Sequence, residues 1–301
     1  MGFALITPVR DEEKYIGAMI DSIVAQEVRP AKWIIVDDGS RDGTPGIVAH
    51  YVRQFSFIEL VQLPVSHGRM PGGEGAVCQA LRRLNLSEFE FVARFDADLV
   101  FERDYIVRIL HEFRRDPKLG IAGGCLCIER NGGLELERHP DYHVRGALKM
   151  YRRECFEQIG GLTTGMGWDT IDEVYAWTKG WRTRSFFEYR VIHRRPTGEG
   201  LNASLVYWER GKADYYTWSH PVFVLAKTIR LVRQTHSLTK PACFLAGFVG
   251  SYARADQRLQ DPAFTRTRRR QQMQRIYSVL TGRRWTDLST PGVGVSGTHN
   301  M

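Results

Sequence analysis

The hydrophobic positions between residues 3 and 115 fall into two alternating patterns. Short apolar runs, typical of strands, are separated by segments in which apolar residues recur every three or four positions, which is typical of helices. Strands that alternate with helices predict an α/β fold with a mostly parallel central sheet, right-handed crossovers and helices on its flanks. The strand-like runs cover residues 3–7, 33–36, 57–63 and 90–95, and the helix-like segments cover residues 15–24, 74–84 and 102–115.

Two carboxylates, Asp96 and Asp98, stand where the strand-like run ending at Phe95 stops and the chain turns toward the next helix. In an open α/β sheet, ligands bind at the carboxyl ends of the strands. Mg²⁺ and Mn²⁺ prefer carboxylate oxygens and keep phosphate oxygens as further ligands. The pair therefore indicates a site for a divalent cation and a phosphate-bearing ligand. The alternative is an Asp-rich turn before a helix, because Asp is common in turns and near helix starts.

A second acidic corner, Asp37 and Asp38, follows the strand-like run at 33–36. These carboxylates can accept hydrogen bonds from a nucleotide base or a ribose, whereas the alternative is a turn followed by a helix cap. A calcium loop is excluded, because Gly39 and Arg41 stand where such a loop needs carboxylates. A dinucleotide-binding site is not indicated, because no Gly-x-Gly-x-x-Gly motif follows the first strand.

Several segments, in this order and spacing, resemble the successive signatures of the family 2 glycosyltransferases, which have the A-type nucleotide-sugar fold. They are Ile6–Glu13, Val36–Thr44, Phe95–Asp98, Tyr151–Leu162 and Gly167–Glu173. The resemblance covers roughly residues 3–200 and implies transfer of a sugar from a nucleotide-diphosphate sugar to an acceptor. The sequence Gly-Trp-Asp-Thr-Ile-Asp-Glu and the later His-Arg-Arg-Pro-Thr-Gly are most similar to bacterial exopolysaccharide and glycolipid enzymes.

The resemblance also implies roles for single residues. Asp96 and Asp98 would hold Mn²⁺ or Mg²⁺ on the diphosphate, and Asp38 would bind the base with Asp37 beside it. The nucleotide pocket would be lined by Thr7, Pro8, Asp11 and Glu12. The family often has an aromatic residue or Asn where this chain has Val-Arg-Asp at 9–11, so the identity of the base and its stacking partner stay open.

The segment that resembles the family's catalytic acid contains three carboxylates, Asp169, Asp172 and Glu173. An inverting transfer needs one carboxylate within hydrogen-bond reach of the acceptor hydroxyl. Asp172 is the preferred base, because the family's acidic pair falls nearest Asp172-Glu173. Spacing alone leaves the choice open, since residues three or four apart share a helix face. For the other carboxylates, the alternative is a helix-start charge favoured by the helix dipole.

Three basic or imidazole side chains follow the strand-like run at 182–192 and are candidates for contact with the diphosphate. His193 can complete the metal shell or contact a phosphate, and Arg194 or Arg195 can neutralise the leaving group. The alternative for a lone histidine is a structural role.

Two irregular segments carry further candidates. Arg69 lies in a Gly-rich segment at 64–75, which is either a phosphate-binding loop or a flexible loop. His139 and His143 are spaced like metal ligands on a helix, but Pro140 between them argues against a helix and favours loop histidines.

The last hundred residues no longer show alternating strand-like and helix-like segments. An apolar run with basic interruptions at 221–232 and a second apolar run at 242–252 are followed by a strongly basic segment at 264–282. Neither run reaches the roughly twenty residues that a membrane-spanning helix requires. This region either lies on an anionic membrane surface or packs on the sheet or on another subunit of a homo-oligomer. We expect a catalytic domain over 1–200, a helical region over 201–285 and a flexible tail over 286–301.

Composition narrows the class of protein. The 301 residues are 43% hydrophobic and carry a net charge of +8, which suits a sizeable core and an anionic ligand. Cysteines without zinc spacing, and an N-terminus without a signal-peptide pattern, favour a reducing, cytoplasmic location. The basic residues are dispersed, so nucleic acid is the least favoured partner.

These observations together predict an inverting, metal-dependent glycosyltransferase that works peripherally at the inner face of the cell membrane, in polysaccharide or glycolipid biosynthesis. A lipid-linked saccharide is the favoured acceptor, because the apolar and basic C-terminal region can hold a lipid carrier. Two alternatives remain. One is a non-catalytic, membrane-associated partner of a polysaccharide synthase that retains the fold. The other is a sugar nucleotidyltransferase, which the acidic segment at 7–13 disfavours.

Overall fold

The computed structural model describes residues 2–64, 74–130, 132–137, 139–164, 167–195, 202–235 and 237–282. Arg69, most of the Gly-rich segment and the tail expected over 286–301 lie outside the described residues.

A mixed sheet of nine strands forms the centre of the described chain. Its order is β3-β2-β1-β4-β8-β6-β9-β5, and β7 pairs with β6 off this path. The pairs among β1, β2, β3 and β4 are parallel, as is β6 with β9, whereas β8 joins both β4 and β6 in antiparallel fashion. The strands are β1 (Gly2–Val9), β2 (Lys32–Asp37), β3 (Ile58–Gln62), β4 (Phe89–Phe95), β5 (Leu99–Phe101), β6 (Leu119–Arg130), β7 (Gly133–Leu136), β8 (Leu148–Arg152) and β9 (Arg182–His193).

Helices flank this sheet, which confirms the predicted α/β class with a helical C-terminal region. Within the sheet domain they are α1 (Ile16–Val24), α2 (Thr44–Gln54), α3 (Glu74–Leu81), α4 (Tyr105–Arg115), α5 (Arg153–Gln158) and α6 (Trp168–Thr178). The C-terminal helices are α7 (Ala203–Tyr216), α8 (Pro221–Thr235), α9 (Thr239–Ala253) and α10 (Pro262–Thr281).

The apolar pattern accounts for most of these elements. The apolar residues of β2 are completely buried, as expected for a strand covered on both faces. The apolar face predicted for the helix after Asp98 is the buried face of α4 and packs into the main core. Strand β5 was not expected, because a three-residue strand is too short to show a pattern. It pairs with β9 and thereby sets Asp98 beside His193.

The C-terminal helices pack on each other and on the sheet domain. Helices α7 and α9 cross at Gly211 and Gly247, where a Cβ atom would lie only 2.0 Å from the carbonyl oxygen of Phe244 and 2.1 Å from that of Trp208, respectively. Phe264 of α10 is fully buried in a cluster with apolar residues of α6. The helical region therefore packs against the domain that carries the acidic motifs. Within the described residues, every helix is too short or too polar to cross a membrane.

Candidate active site

The parallel strands β1, β2 and β4 end at one edge of the sheet, and each is followed by acidic residues. Asp96 comes directly after β4, and its backbone N–H donates to the carbonyl of Ala147, 2.8 Å away. Its Oδ1 lies 2.8 Å from Nη1 of Arg94, which also donates to the carbonyl of Gly146. About a third of the Asp96 side chain stays exposed. The exposed part of this carboxylate therefore faces solvent at this edge of the sheet, which we call the cleft, while its backbone is anchored to the segment before β8.

Asp98 lies deeper and is surrounded by basic groups from the end of β9. Its Oδ2 accepts a hydrogen bond from Nε of Arg195 at 3.1 Å and lies 3.0 Å from Nη2 of the same side chain. Its Oδ1 lies 3.6 Å from Nε2 of His193, whose Nδ1 is 3.3 Å from Glu137. Arg195 Nη2 also binds Oε1 of Glu12 at 2.5 Å. One arginine thus joins the carboxylate after β1 to the carboxylate after β4.

Burial and charge shift the pKa values of these groups in different directions. Burial raises the pKa of Glu12 and of Asp96, and the negative charge of Asp98 raises both pKa values further. Arg195 beside Glu12 and Arg94 beside Asp96 oppose this effect without cancelling it. Although burial opposes it, the hydrogen bond and charge of His193, together with Arg195, lower the pKa of Asp98. Burial alone would lower the pKa of His193, but its contacts with Asp98 and Glu137 have the larger effect and raise this pKa to about 9.

The donor set at this edge fits a divalent cation held jointly with a diphosphate. Asp96 and Asp98 offer carboxylate oxygens, which Mg²⁺ and Mn²⁺ prefer, and Oε2 of Glu12 is buried with no hydrogen-bond partner among the described residues. The described part of the chain holds no cluster of three or more side chains with the geometry of a complete metal site. Two carboxylates suffice for an ion that takes its remaining ligands from phosphate oxygens and water.

The loops after β1 and β2 are joined by hydrogen bonds. The backbone N–H groups of Asp11 and Glu12 donate to the hydroxyls of Ser40 and Thr44, at 3.0 and 2.8 Å, and Asp11 accepts a hydrogen bond from the N–H of Arg41. Asp11 has a left-handed backbone with φ 55°, which Asp tolerates better than most residues. The corner expected to hold the base is therefore a rigid, preformed structure.

Individual residues of that corner differ in how they can serve a ligand. Asp38 is partly exposed and lies 3.5 Å from Nη1 of Arg10, whereas Asp37 is buried and accepts a hydrogen bond from the N–H of Ser40. Pro8 is partly buried. The Thr7 side chain is completely buried and its hydroxyl accepts a hydrogen bond from the indole of Trp33, 3.0 Å away. Its side chain therefore does not line the pocket.

The structure places Asp172, the preferred base, in a closed and buried set of contacts. Both of its oxygens bind Nζ of Lys149, at 2.8 and 2.9 Å. Oδ2 also accepts from the hydroxyl of Tyr151, and Oδ1 accepts from the N–H of Glu173. Burial raises the pKa of Asp172 despite the Lys149 charge beside it. Because both oxygens of this buried carboxylate already accept hydrogen bonds, Asp172 is poorly placed to accept a proton from an acceptor hydroxyl.

Glu173 is equally inaccessible. Its Oε1 accepts a hydrogen bond from the N–H of Val144, and its Oε2 lies 2.9 Å from Nδ1 of His143. Lys149 is 3.3 Å away. Asp172 and Glu173 thus fasten α6 to β8 and to the segment before it.

Asp169 is the one member of this acidic group whose side chain is appreciably exposed. Its side chain is 35% exposed, against 2% for Asp172, and it lies in the first turn of α6. His143 Nε2 is 3.9 Å from its Oδ2. Although burial opposes it, the charges of His143 and Lys149 lower the pKa of Asp169, so the carboxylate is ionised at neutral pH.

Arg94 and Gly146 join Asp169 to Asp96. The Arg94 guanidinium, which binds Asp96, lies 4.8 Å from the ring centre of Trp168. A Cβ atom at Gly146 would lie 3.3 Å from Cβ of Asp169 and closer still to the Trp168 ring, so only glycine allows this approach. The segment that accepts hydrogen bonds from Arg94 and Asp96 is therefore packed directly against Asp169.

Comparison with known proteins identifies the family of this chain. The family model described as glycosyl transferase family 2 matches residues 4–168, which is more than half of the chain. The chain belongs to glycosyl transferase family 2. A poly-beta-1,6-N-acetyl-D-glucosamine synthase of Staphylococcus epidermidis is 26% identical over 123 residues, which cover 41% of this chain and 28% of that synthase. An uncharacterized glycosyltransferase of Mycoplasma pneumoniae is 29% identical over 181 residues, covering 53% of this chain and 56% of the relative.

Solved structures show the same fold for this family 2 chain. A mannosyltransferase from Pyrobaculum calidifontis, in complex with GDP-Man and Mn²⁺, superposes with a TM-score of 0.51 at 22% identity, covering 93% of this chain and 83% of that one. Staphylococcus aureus TarS 1–349, in complex with UDP-GlcNAc, superposes with a TM-score of 0.50 at 17% identity, covering 85% and 74%. At these identities the likeness establishes the fold alone.

The basic residues predicted to contact the diphosphate differ in where their side chains lie in this glycosyltransferase. Arg195 faces the cleft, whereas Arg194 Nη1 pairs with Glu129 on β6, at 3.1 Å. His139 and His143 lie in a loop, as predicted, yet His143 contacts two carboxylates of α6.

Sequence reasoning missed Lys149 and Tyr151, which hold Asp172 in place, and it considered Arg94 only as a phosphate contact or a surface charge. One signal was available for Lys149: it stands between Leu148 and Met150 in a strand-like run, where a charged residue must be buried with a partner.

Proposed function

We propose that this family 2 glycosyltransferase is an inverting, metal-dependent enzyme that moves a sugar from a nucleoside-diphosphate sugar to an acceptor hydroxyl. The observation that carries the proposal is that Arg94 connects Asp96 with the segment packed against Asp169. The same guanidinium binds Asp96 and the carbonyl of Gly146, which packs against Asp169. A metal-binding carboxylate and an exposed, ionised carboxylate thereby face one cleft, as direct displacement requires.

Asp96 and Asp98 are the residues that would hold Mn²⁺ or Mg²⁺ with the donor diphosphate. When bound, the ion stabilises the negative charge that develops on the leaving nucleoside diphosphate. The preformed corner at Asp37 and Asp38 lies at the same edge of the sheet and would take the nucleoside. The GDP-Man and UDP-GlcNAc named in the complexes of the structural neighbours support this class of donor.

Asp169 is our proposed general base. It is the accessible carboxylate of the α6 group and is ionised at neutral pH, so it can accept the proton of an acceptor hydroxyl. His143 lies between Asp169 and the buried Glu173, and therefore positions the base rather than contacting the sugar. Asp172, with Lys149 and Tyr151, forms the rigid support under this end of α6.

Arg195 is our proposed partner for the departing diphosphate. It already lies between Asp98 and Glu12, at the point where a metal-bound diphosphate would arrive. Guanidinium groups bind phosphate oxygens in a bidentate manner, and an incoming diphosphate can replace Glu12 as the partner of Arg195.

We further propose a lipid-linked saccharide as the acceptor and the inner face of the cell membrane as the place of work. Exposed apolar side chains are frequent on α8, α9 and α10, and α10 is rich in arginine. Such a surface suits an anionic leaflet and an acceptor that is delivered from it.

Donor cleavage tests the enzymatic proposal without knowledge of the acceptor. The purified chain is incubated with GDP-mannose, UDP-N-acetylglucosamine and related donors, with Mn²⁺ or with a chelator, and released nucleoside diphosphate is measured. We expect slow hydrolysis of at least one donor that needs the metal and is lost in Asp96→Ala. The matched control is Asp104→Asn, just before α4, because Asp104 pairs with Arg108 rather than with the acidic residues of the site and the variant should keep the activity. Metal-independent hydrolysis, or none with any donor, would contradict the proposal.

A further inference from the structure

A cavity of about 620 Å³ lies behind the proposed base, between α6, α8, α10 and residues 140–143. Its volume is in the range of pockets that hold small ligands. Much of its lining is apolar: Phe223, Ile229 and Leu231 from α8, and Ile276, Val279 and Leu280 from α10. The nucleotide corner contributes none of the lining residues, so this cavity is distinct from the donor site.

The inner end of the cavity reaches the catalytic group. His143, Thr170 and Glu173 form part of its wall. His143 is 3.9 Å from Asp169, and Thr170 is the next residue in the chain. A molecule that fills the cavity therefore ends beside the carboxylate proposed to activate the acceptor hydroxyl.

Cationic side chains outnumber carboxylates in the wall. Lys227, Arg230, Arg233, Arg268 and Arg275 line the cavity, whereas Glu173 is the one carboxylate among the described lining residues. Lys227 and Arg268 share Asp214, at 2.5 and 3.6 Å. Within the described chain, Arg230, Arg233 and Arg275 have no carboxylate at ion-pair distance. An unbalanced cluster of this kind favours an anion.

Arg275 lies at the inner part of this cluster. Its guanidinium is 5.6 Å from the ring centres of both Tyr142 and Phe223, and much of its side chain is buried. Burial lowers the pKa of Arg275, and the charges of Arg230 and Arg268 lower it further despite the opposing effect of Tyr142. A bound anion would relieve the mutual repulsion of these arginines.

The outer rim has the opposite character. Val279 and Leu280 are 81% and 79% exposed, and Ile229 is 47% exposed. The half-buried Arg275, beside Tyr142, therefore lies at the inner part of the cavity, whereas exposed apolar side chains and the exposed Arg230 lie at its outer part. This polarity matches an amphiphile whose anionic group lies inside and whose hydrocarbon chain passes outward.

We propose that this cavity binds the carrier of the acceptor: a phosphate or diphosphate group on a hydrocarbon chain. The inference rests on the proposed glycosyl transfer, because it gives the lipid-linked acceptor a defined site. The anionic group lies on Arg275 and Arg230, and the chain lies along Ile229, Val279 and Leu280. Arginine binds phosphate oxygens in a bidentate manner, and each buried methylene group of the hydrocarbon chain strengthens binding.

Calorimetric titration of the full chain tests the site with three probes: farnesyl phosphate, farnesol and inorganic phosphate, each below its aggregation concentration. We expect farnesyl phosphate to bind at least tenfold more tightly than either of the others, because only this probe has both the anion and the chain. Equal affinity for farnesol would show that the arginines do not contribute, and equal affinity for inorganic phosphate would show a free-phosphate site. Either result would overturn the proposal.

Variants connect the binding to the cavity. Arg275→Gln and Arg230→Gln should each weaken farnesyl phosphate at least fivefold and leave farnesol unchanged. Arg230 is exposed, so its replacement does not threaten folding, and Arg270→Gln, an exposed position of α10 outside the cavity, is the matched control. Unchanged affinity in Arg230→Gln and Arg275→Gln, or an equal loss in Arg270→Gln, would refute the assignment.

The titration uses neither donor nor metal, so it separates this inference from the proposed function. Loss of Mn²⁺-dependent nucleotide binding with intact farnesyl phosphate binding would contradict the glycosyltransferase mechanism alone. Intact nucleotide binding without farnesyl phosphate binding would contradict the cavity assignment alone.

Discussion

Nζ of Lys149 lies 2.8 Å from Oδ1 and 2.9 Å from Oδ2 of Asp172, and both side chains are buried under the first turns of α6. The pair joins β8 to the helix that carries Asp169, and Lys149 also donates to the backbone carbonyl of Asp169. A buried charge pair of this kind is costly to break from one side, because the remaining charge is left without a partner. Its role is therefore to hold Asp169, the proposed base, in place.

Asp172→Asn should destabilise the protein strongly. It removes the charge that compensates Lys149 in the core, and loss of one partner of a buried pair costs about 3–5 kcal/mol. The free energy of unfolding, measured by urea titration, gives the size of the loss. The double replacement Lys149→Met, Asp172→Leu should recover part of it, because no lone charge remains. A stability equal to that of the wild type in Asp172→Asn would contradict the structural role.

Asp169→Asn should instead preserve stability and reduce turnover. The side chain is partly exposed and its neighbours keep their other partners, so folding should be little affected. Loss of a general base lowers the rate by roughly 10²–10⁴-fold. Transfer rates with an identified acceptor, measured beside nucleotide affinity, should show a fall in kcat with donor binding intact. Near-normal turnover would return the role of base to another group.

His143 should act through Asp169. His143→Gln keeps a donor for Glu173 but removes the imidazole that faces Asp169. Because the charge of His143 lowers the pKa of Asp169, the variant should shift the acidic limb of the kcat–pH profile to higher pH. A uniform fall in kcat with no shift of that limb would indicate a purely structural role. His139→Gln, in the same loop, is the matched control.

Most of the fold could be predicted from the sequence, because most strands and helices of the sheet domain follow apolar patterns that span four or more residues. The acidic edge could also be predicted, since Asp37, Asp38 and Asp96 follow such strands directly. The choice among the α6 carboxylates could not. Which of them faces the core depends on the rotation of α6 against β8, and that rotation is decided by Lys149 and Tyr151, some twenty residues earlier.

The carboxylates that pair with the basic residues could not be predicted either, because these pairs also depend on contacts between segments distant in the sequence. Arg194 and Arg195 are adjacent, and alternation in an extended chain sends their side chains in opposite directions without indicating which one meets the cleft. The unexpected strand β5 settles this, because it pairs Leu99 with His193 and sets Arg195 beside Asp98. Likewise, His143 is in a loop whose contacts with α6 are formed only in the folded chain.

The crossing of α7 and α9 should not tolerate a methyl group. At Gly211 a Cβ atom would lie 2.0 Å from the backbone oxygen of Phe244, so Gly211→Ala must push the helices apart. Overpacking of this kind costs typically 1–3 kcal/mol, and calorimetry should show a lower melting temperature. Gly250→Ala on α9 is the control, because its nearest neighbour is the flexible end of Arg254. Equal effects of the two variants would contradict the close approach.

Asp214 should make the helical region sensitive to acid. Although burial opposes it, Lys227 and Arg268 lower the pKa of this carboxyl in the folded state. A lowered folded-state pKa adds stability above the unfolded-state pKa, near 4, and that stability is lost as the pH falls through the folded-state value. Asp214→Asn should therefore melt below the wild type at pH 7, and the difference should shrink below about pH 4. A difference that does not change with pH would argue against this origin.

Nucleotide binding with and without metal is the most direct test of the site at Asp96 and Asp98. Calorimetric titration of the full chain with GDP and UDP, in Mn²⁺ and then in a chelator, measures the affinity for each nucleotide. The arrangement of the two carboxylates predicts that at least one nucleotide binds only with Mn²⁺ and that Asp96→Ala abolishes this binding. Equal affinity in the chelator, or unchanged Mn²⁺-dependent affinity in Asp96→Ala, would contradict it.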